Sequence, residues 1–243
     1  MLPLLLHSHY SQYRDDLGFW ENLAGDQAGL VLELGCGTGR ILNHLARFHR
    51  KLIGIDHNYE MLAFCKSNLI QNNQPGIHIF QADFSAFHLS DKFELILIAC
   101  NTFSTLPENK RQAVLSRVKY HLTACGIFAF SVPNPSGFTD LEGESEPEVE
   151  TVFIHPIDNE PVQVSSSWTL DGSKWTLRWH YDHLLPDGTI ERTSTQTVHY
   201  IHSYDQYSRE IMNAGFGNLI LFGDFDQSPY TEDSPYLISV CYL

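Results

Sequence analysis

The chain has 243 residues, 43% of them hydrophobic, and a formal net charge of −14 at pH 7. That length suits one large α/β domain or a domain with an insertion. The acid surplus, with only 15 Lys and Arg, argues against sequence-independent attraction to nucleic-acid phosphates. No apolar run approaches about 18 residues, so no membrane-spanning helix and no membrane partner are expected. Met1-Leu-Pro-Leu-Leu-Leu6 is apolar but lacks a basic flank and a small-residue cleavage site, and it is not read as a signal peptide. The five cysteines form no CxxC and suit a reducing cytoplasm, the expected location. Among 13 histidines there is no HExxH and no Cys/His cluster with zinc spacing. His7 and His9 can in principle share a metal, but no metal centre is expected.

In chain order, Tyr10, Tyr13, Leu17, Trp20 and Leu23 recur at helical spacing, which predicts a helix over 10–23, with Trp20 and Leu23 packed on a sheet. Gly25–Gly29 breaks it. Leu30–Leu34 reads as a buried strand that stops at Gly35, Gly37 and Gly39. A helix follows, with Ile41, Leu42, Leu45, Ala46 and Phe48 on one face. Strand, glycine turn and helix open a nucleotide-binding βαβ unit, because glycine permits a tight turn and close approach of a ligand to the main chain. Lys51–Asp56 is a second strand ending in an acid, 17 residues beyond Gly39. There a carboxylate can accept from both ribose hydroxyls, although Asp56 can equally cap the next helix. That helix runs from Tyr59 to about Asn72 with Met61, Leu62, Cys65 and Leu69 inward, and Asn72–Gly76 is a turn cluster.

Ile77–Gln81 is a third strand, followed directly by Ala82-Asp83-Phe84. An acid and an aromatic at a strand end can bond an exocyclic amine and stack on a purine; a loop acid and a core Phe are the alternative. Phe93–Ala99 is continuously apolar, as a buried parallel strand should be. It leads into the loop Cys100–Leu106 at the carboxyl edge of the sheet. Pro107–Leu122 is a helix and Gly126–Val132 a fifth strand, so the alternation predicts a doubly wound parallel sheet.

After Pro133–Gly137 the texture changes. Asp140–Glu160 holds eight acids and no Lys or Arg, the composition of a solvated loop or lid. From 151 to 202 the pattern is strand-like, over Val162–Trp168, Trp175–Leu184 and Thr189–Tyr200, with Asp-Gly turns between. This predicts an antiparallel sheet inserted into the α/β domain. Tyr204–Asn213 returns to helical spacing with Gly215 as its cap. Leu219–Phe222 and Tyr236–Tyr242 then complete a seven-stranded sheet around an acidic loop, Gly223–Asp233. The expected organisation is 1–136 as the first part of the α/β domain, 137–203 as the insertion (an acceptor lid or a dimer face) and 204–243 as the end of the α/β domain.

Glu33-Leu-Gly-Cys-Gly-Thr-Gly39, Asp56 and Ala82-Asp83-Phe84, in this order and spacing, resemble the class I S-adenosylmethionine-dependent methyltransferases. The resemblance covers 30–132 well and the final strand pair more loosely. It implies a seven-stranded, mostly parallel sheet and S-adenosylmethionine as cofactor. By resemblance Glu33, Gly35, Cys36, Gly37 and Arg40 line the methionine and ribose, and Asp56 holds the ribose. His57 and Met61 flank it, Ala82, Asp83 and Phe84 hold the adenine, and Cys100 and Asn101 lie beside the transferred methyl. The insertion and Gly223-Asp-Phe-Asp-Gln-Ser-Pro-Tyr230 more weakly resemble small-molecule methyltransferases, including amino-sugar N,N-dimethyltransferases, with an antiparallel sheet above the active site.

Methyl transfer to a neutral amine needs at most a base, and transfer to a hydroxyl needs one more. Candidate bases are Tyr10, Tyr13, His180, His199 and Tyr200. Trp168, Trp175 and Trp179 are candidates for an acceptor wall, or equally for the insertion's own core or a homodimer face. Aromatics and the acid run hint at a cationic amine. An NAD-dependent oxidoreductase is disfavoured because GxGxxG is not met at Arg40. A non-catalytic S-adenosylmethionine-binding protein stays open. A nucleic-acid methyltransferase is disfavoured because Ala99-Cys-Asn-Thr stands where an (Asn/Asp)-Pro-Pro-(Tyr/Phe) motif belongs.

Overall fold

Short apolar runs alternating with amphipathic stretches build most of the chain. The computed structural model describes residues 1–25, 27, 29–48, 51–72, 74 and 76–243. Its elements in chain order are α1 (Leu2–Tyr10), α2 (Leu17–Gly25), β1 (Val31–Leu34), α3 (Arg40–Leu45), β2 (Leu52–Asp56), α4 (Tyr59–Gln71), β3 (Ile77–Gln81), β4 (Phe93–Ile98), α5 (Glu108–His121) and β5 (Leu122–Pro133). There follow β6 (Gly143–Glu144), β7 (Glu148–Ile154), β8 (Pro161–Asp171), β9 (Lys174–Leu184), β10 (Ile190–Tyr200), α6 (Tyr204–Asn213), β11 (Asn218–Phe222) and β12 (Tyr236–Tyr242). They divide into two units, Arg14–Thr139 with His202–Leu243, and Met1–Tyr13 with Asp140–Ile201.

The first unit holds a seven-stranded sheet in the order β11-β12-β5-β4-β1-β2-β3. The pairs from β3 through β5 are parallel, and β12 runs antiparallel to both neighbours. The central strands are largely apolar because helices cover both faces, and β1 and β2 are buried at every residue, the acids Glu33 and Asp56 included. Phe103, Phe128, Phe130 and Tyr207 pack together in the core, with Phe103 and Phe130 centroids 4.3 Å apart. Each such ring contributes about 1.5–3 kcal/mol through its removal from water. Arg111 on α5 forks onto Glu210 on α6 at 2.7 Å, and Arg111 is wholly buried.

The second unit is an antiparallel sheet in the order β10-β9-β8, with β6 and β7 both pairing to β8. The β9–β10 connection closes through Asp187, whose carboxylate accepts from the Thr189 N–H and hydroxyl, and Gly188 has φ +83°. Register places Trp168, Trp175, Trp179, Tyr181 and His199 on one face. Leu5 of α1 packs on that face with Phe153, Val162, Val164 and Tyr181.

Three expectations are corrected. The helix expected over 10–23 begins only at Leu17, because α1 ends at Tyr10 and the chain turns at 11–16. The buried positions of α2 are Phe19, Trp20 and Ala24, while Leu23 is half-buried. The reason is tertiary, since Asp16 turns inward to bond Trp20 and Arg40. Met1–Tyr13 clusters with Asp140–Ile201. The acid run contains strands β6 and β7, because Val149, Val152 and Phe153 set a pairing edge that composition hid. Phe48 lies beyond the short α3 and is 60% exposed. The break over 25–29 and the turn over 72–76 include Asp26, Ala28, Asn73 and Pro75, which lie outside the described residues.

Candidate functional site

The carboxyl ends of β1, β2, β3 and β4 bring most of the expected residues together. After β1 the chain turns through Gly35, Gly37 and Gly39 at φ +83°, +50° and +85°. A side chain at Gly39 would meet Cys65 Sγ at 2.5 Å, so that glycine is demanded by packing. At Gly37 a Cβ would meet nothing within 4 Å, so its main chain faces open space. The Gly37 N–H donates to Asp56 Oδ2 at 2.9 Å, and Asp56 Oδ1 accepts from the Asn58 N–H at 2.8 Å. Asn58, which sequence reasoning missed, is the cap of α4 and accepts from Glu60 and Met61. Asp56 is thus not that cap. His57 is largely exposed, its Nδ1 3.6 Å from Asp56 Oδ1, and Met61 is half-buried in the first turn of α4.

Glu33 near the end of β1 is buried, and its Oε2 has no hydrogen-bond partner. Burial pushes its carboxyl up to about 8, with Arg40 opposing and Asp56 and Asp16 adding to the rise. Arg40 forks onto Asp16 at 2.7 and 2.5 Å and donates to Cys100 Sγ at 3.1 Å. Asp16 was not found from sequence, and no local pattern links positions 16 and 40. Cys36 is buried, and burial holds its thiol well above its ordinary range. Cys100 and Asn101 both adopt positive φ, +54° and +57°, at the end of β4. The buried Asn101 Oδ1 lacks a partner.

At the end of β3, the Ala82 N–H donates to the Asp56 carbonyl at 3.1 Å, joining two strand ends. Phe84 is buried against the glycine turn, 3.3 Å from where a Gly35 Cβ would stand, and Thr102 packs there too. Asp83 accepts from the Ser85 N–H and hydroxyl and from Lys110 Nζ. These bonds, Ser85 first, lower its carboxyl to about 2. Asp83 is therefore anionic at pH 7 and bonded within its own loop and to α5.

The candidate bases lie in the other unit and do not share one surface. His180 bonds Ser194 Oγ on the sheet face opposite Tyr181, and Tyr200 falls on the same face as His180. His199 is on the aromatic face, 5.1 Å from the Trp175 ring, and burial lowers it to about 4. Tyr10 stacks on His9, whose Nδ1 lies 3.1 Å from the Tyr181 hydroxyl. Tyr13 is half-buried after α1.

Buried acceptors without partners at Glu33 and Asn101, a carboxylate at Asp56 and an open glycine backbone suit a ligand rich in donor groups. An ammonium and two vicinal hydroxyls fit that set. Residues 31–126 match the family described as a methyltransferase domain. A putative methyltransferase of Geobacillus sp. is 24% identical over 212 residues, 84% of this chain and 80% of its own length. An S-adenosylmethionine-dependent methyltransferase from Clostridium acetobutylicum has a similar structure, with TM-score 0.81 at 12% identity over 98% of this chain and 96% of that one. The sugar N-methyltransferase KedS8 from Streptoalloteichus sp. gives 0.76 at 16% identity, over 100% and 92%. No described helix is long and apolar enough to cross a membrane.

Proposed function

We propose, from the premise that the α/β unit is a class I S-adenosylmethionine-dependent methyltransferase domain, that the chain methylates a small-molecule amine. The observation that carries the cofactor part of this reading is the buried, unpartnered Glu33 oxygen beside the open glycine turn. S-adenosylmethionine supplies an electrophilic methyl on a sulfonium, so transfer is an in-line displacement with a neutral leaving group.

The protein is asked chiefly to bind and align, which can supply effective molarities on the order of 10⁵ M or more. Asp56 accepts from the ribose hydroxyls with the lone pairs that Gly37 and Asn58 leave open. Glu33 faces the cationic methionine end, where ionisation is favoured by a nearby positive charge. Phe84 and Ala82 border the adenine. Asp83 belongs to this reading as the end of that border, held by Ser85 and Lys110. Cys100 and Asn101 sit at the methyl-bearing end.

Trp168, Trp175 and Trp179 share one face of the antiparallel unit, and indole rings of this kind attract a cation. Burial lowers His199 to about 4, so it is neutral at pH 7 and a weak proton acceptor, and a neutral amine needs no strong base. The acid-rich composition and the likeness to a sugar N-methyltransferase support an amine over a hydroxyl. The test is incubation with methyl-labelled S-adenosylmethionine and matched amine and hydroxyl acceptors, amino sugars among them, with mass spectrometry of the products. Label on nitrogen is the expected result. Label only on oxygen, or no transfer to any acceptor in a metabolite extract, overturns the reading.

A further inference from the structure

The turn between β7 and β8 gathers three side chains that the methyl-transfer reading leaves unused. His155 opens the turn, Asp158 lies within it, and His183 projects from the neighbouring β9. His155 Nδ1 is 2.8 Å from Asp158 Oδ1, and His183 Nε2 is 3.1 Å from Asp158 Oδ2. The two imidazole centroids are 4.2 Å apart. One donor atom from each residue lies within 4.8 Å of the other two. Both histidines are buried, 2% and 6% exposed, whereas the Asp158 side chain is 34% exposed, so the cluster opens on one side.

The cluster sits on a turn closed by backbone bonds, and Asp158 Oδ1 also accepts from the Glu160 N–H at 3.2 Å. His155 and Glu160 close the turn through a 2.8 Å bond from the His155 N–H, and the Asn159 N–H returns to the His155 carbonyl at 3.0 Å. His183 is fixed opposite Val162 by the β8–β9 register. Two imidazole nitrogens and a carboxylate oxygen are a donor set for zinc and its first-row neighbours. Metal–ligand bonds of about 2.0–2.2 Å place neighbouring ligand atoms roughly 3.0–3.5 Å apart. The two His–Asp separations of 2.8 and 3.1 Å need an opening of a few tenths of an ångström, and the two imidazole nitrogens, within 4.8 Å of each other, draw in on the ion.

We propose that His155, Asp158 and His183 form a three-ligand site for a divalent first-row transition ion, zinc first, with water completing the shell on the open side. The ion clamps the β7–β8 turn to β9. The sequence pattern hid the site because two ligands come from one turn and the third from a strand on the far side of β8. The proposal stands on residues apart from the cofactor site and does not depend on methyl transfer.

The test uses the full chain, free of any affinity tag and stripped with a chelator, titrated with Zn²⁺ by calorimetry and with Co²⁺ by visible absorption. One high-affinity equivalent per chain is expected, with ligand-field bands of nitrogen and oxygen coordination and a melting temperature that rises with free Zn²⁺. Asp158→Asn and His183→Gln should each weaken that equivalent at least tenfold and abolish the melting shift. Circular dichroism checks that each variant is folded, and Asp158→Asn decides if His183→Gln does not fold. Absence of a stoichiometric equivalent in the unaltered chain overturns the proposal, because the cluster is then a hydrogen-bonded turn only. Unchanged binding in Asp158→Asn also overturns it, because the ion then sits on other histidines.

Discussion

The Gly37 N–H donates to Asp56 Oδ2 at 2.9 Å, so the acid that ends β2 is bonded to the turn that follows β1. One carboxylate therefore ties the glycine turn to the end of β2, and in the proposed site it also binds the ribose. Asp56→Ala should weaken S-adenosylmethionine binding tenfold or more, roughly 1.4 kcal/mol. Asp56→Asn, which keeps an acceptor for Gly37, should retain the fold and lose less. Calorimetric affinities for the two variants check this, and equal affinity in Asp56→Ala and the unaltered chain refutes the ribose role.

Glu33 gives a pH signature. Its carboxyl rises from 4.5 to about 8 on folding, chiefly through burial. The folded chain then holds more protons than the unfolded one between these values, so this residue's contribution to stability falls as pH rises from about 4.5 to about 8. Glu33→Gln should remove that decline, at most about 1.4 kcal/mol per pH unit, and leave the variant relatively more stable above pH 8. Melting temperatures across pH 5–9, a range of about 4 units spanning the shift, read it directly. Parallel profiles for both proteins contradict it.

Gly37 and Gly39 should separate binding from folding. Gly39→Ala forces a Cβ to 2.5 Å from Cys65 Sγ at φ +85° and should unfold or strongly destabilise the chain. Gly37→Ala meets open space and should cost only the left-handed conformation, about 1–2 kcal/mol. Yet it should lose cofactor affinity, because the added methyl stands where the main chain must be approached. Urea denaturation and calorimetry on both variants test the contrast, and the opposite ranking of stabilities defeats it.

The Arg40–Asp16 fork, 2.7 and 2.5 Å, holds α2 to the start of α3. Arg40→Lys keeps the charge but not the planar fork, and should cost about 1.5–3 kcal/mol. Asp16→Ala leaves the guanidinium buried without its carboxylate and should cost more, about 3–5 kcal/mol. Urea midpoints within about 0.5 kcal/mol of the unaltered chain, the size of a plain surface substitution, would show that the pair is not structural.

The α/β unit was legible because its signals are local. An apolar run ending at Gly35, a strand ending at Asp56, and Ala82-Asp83-Phe84 after Ile77–Gln81 each state their own place, and their alternation with helices states a parallel sheet. The hairpins announced themselves at Asp171-Gly172 and Asp187-Gly188. What was not legible is tertiary. Asp16 reaches Arg40, His183 meets Asp158 across a strand, and α1 packs on Tyr181, none of which leaves a spacing pattern. The start of β7 was hidden because Glu148 and Glu150 read as solvated charge, although Glu148 and Val149 pair with β8 ahead of a bulge at Glu150. Candidate bases could be named by residue type, but only the register put His199 with the tryptophans and His180 on the other face.

The central claim is that the glycine turn, Glu33 and Asp56 form an S-adenosylmethionine site. Calorimetric titration of the full chain with S-adenosylmethionine and, separately, with NADH tests it most directly. One S-adenosylmethionine per chain, lost or weakened in Asp56→Ala, with no NADH binding, is the predicted result. NADH binding without S-adenosylmethionine binding contradicts the claim.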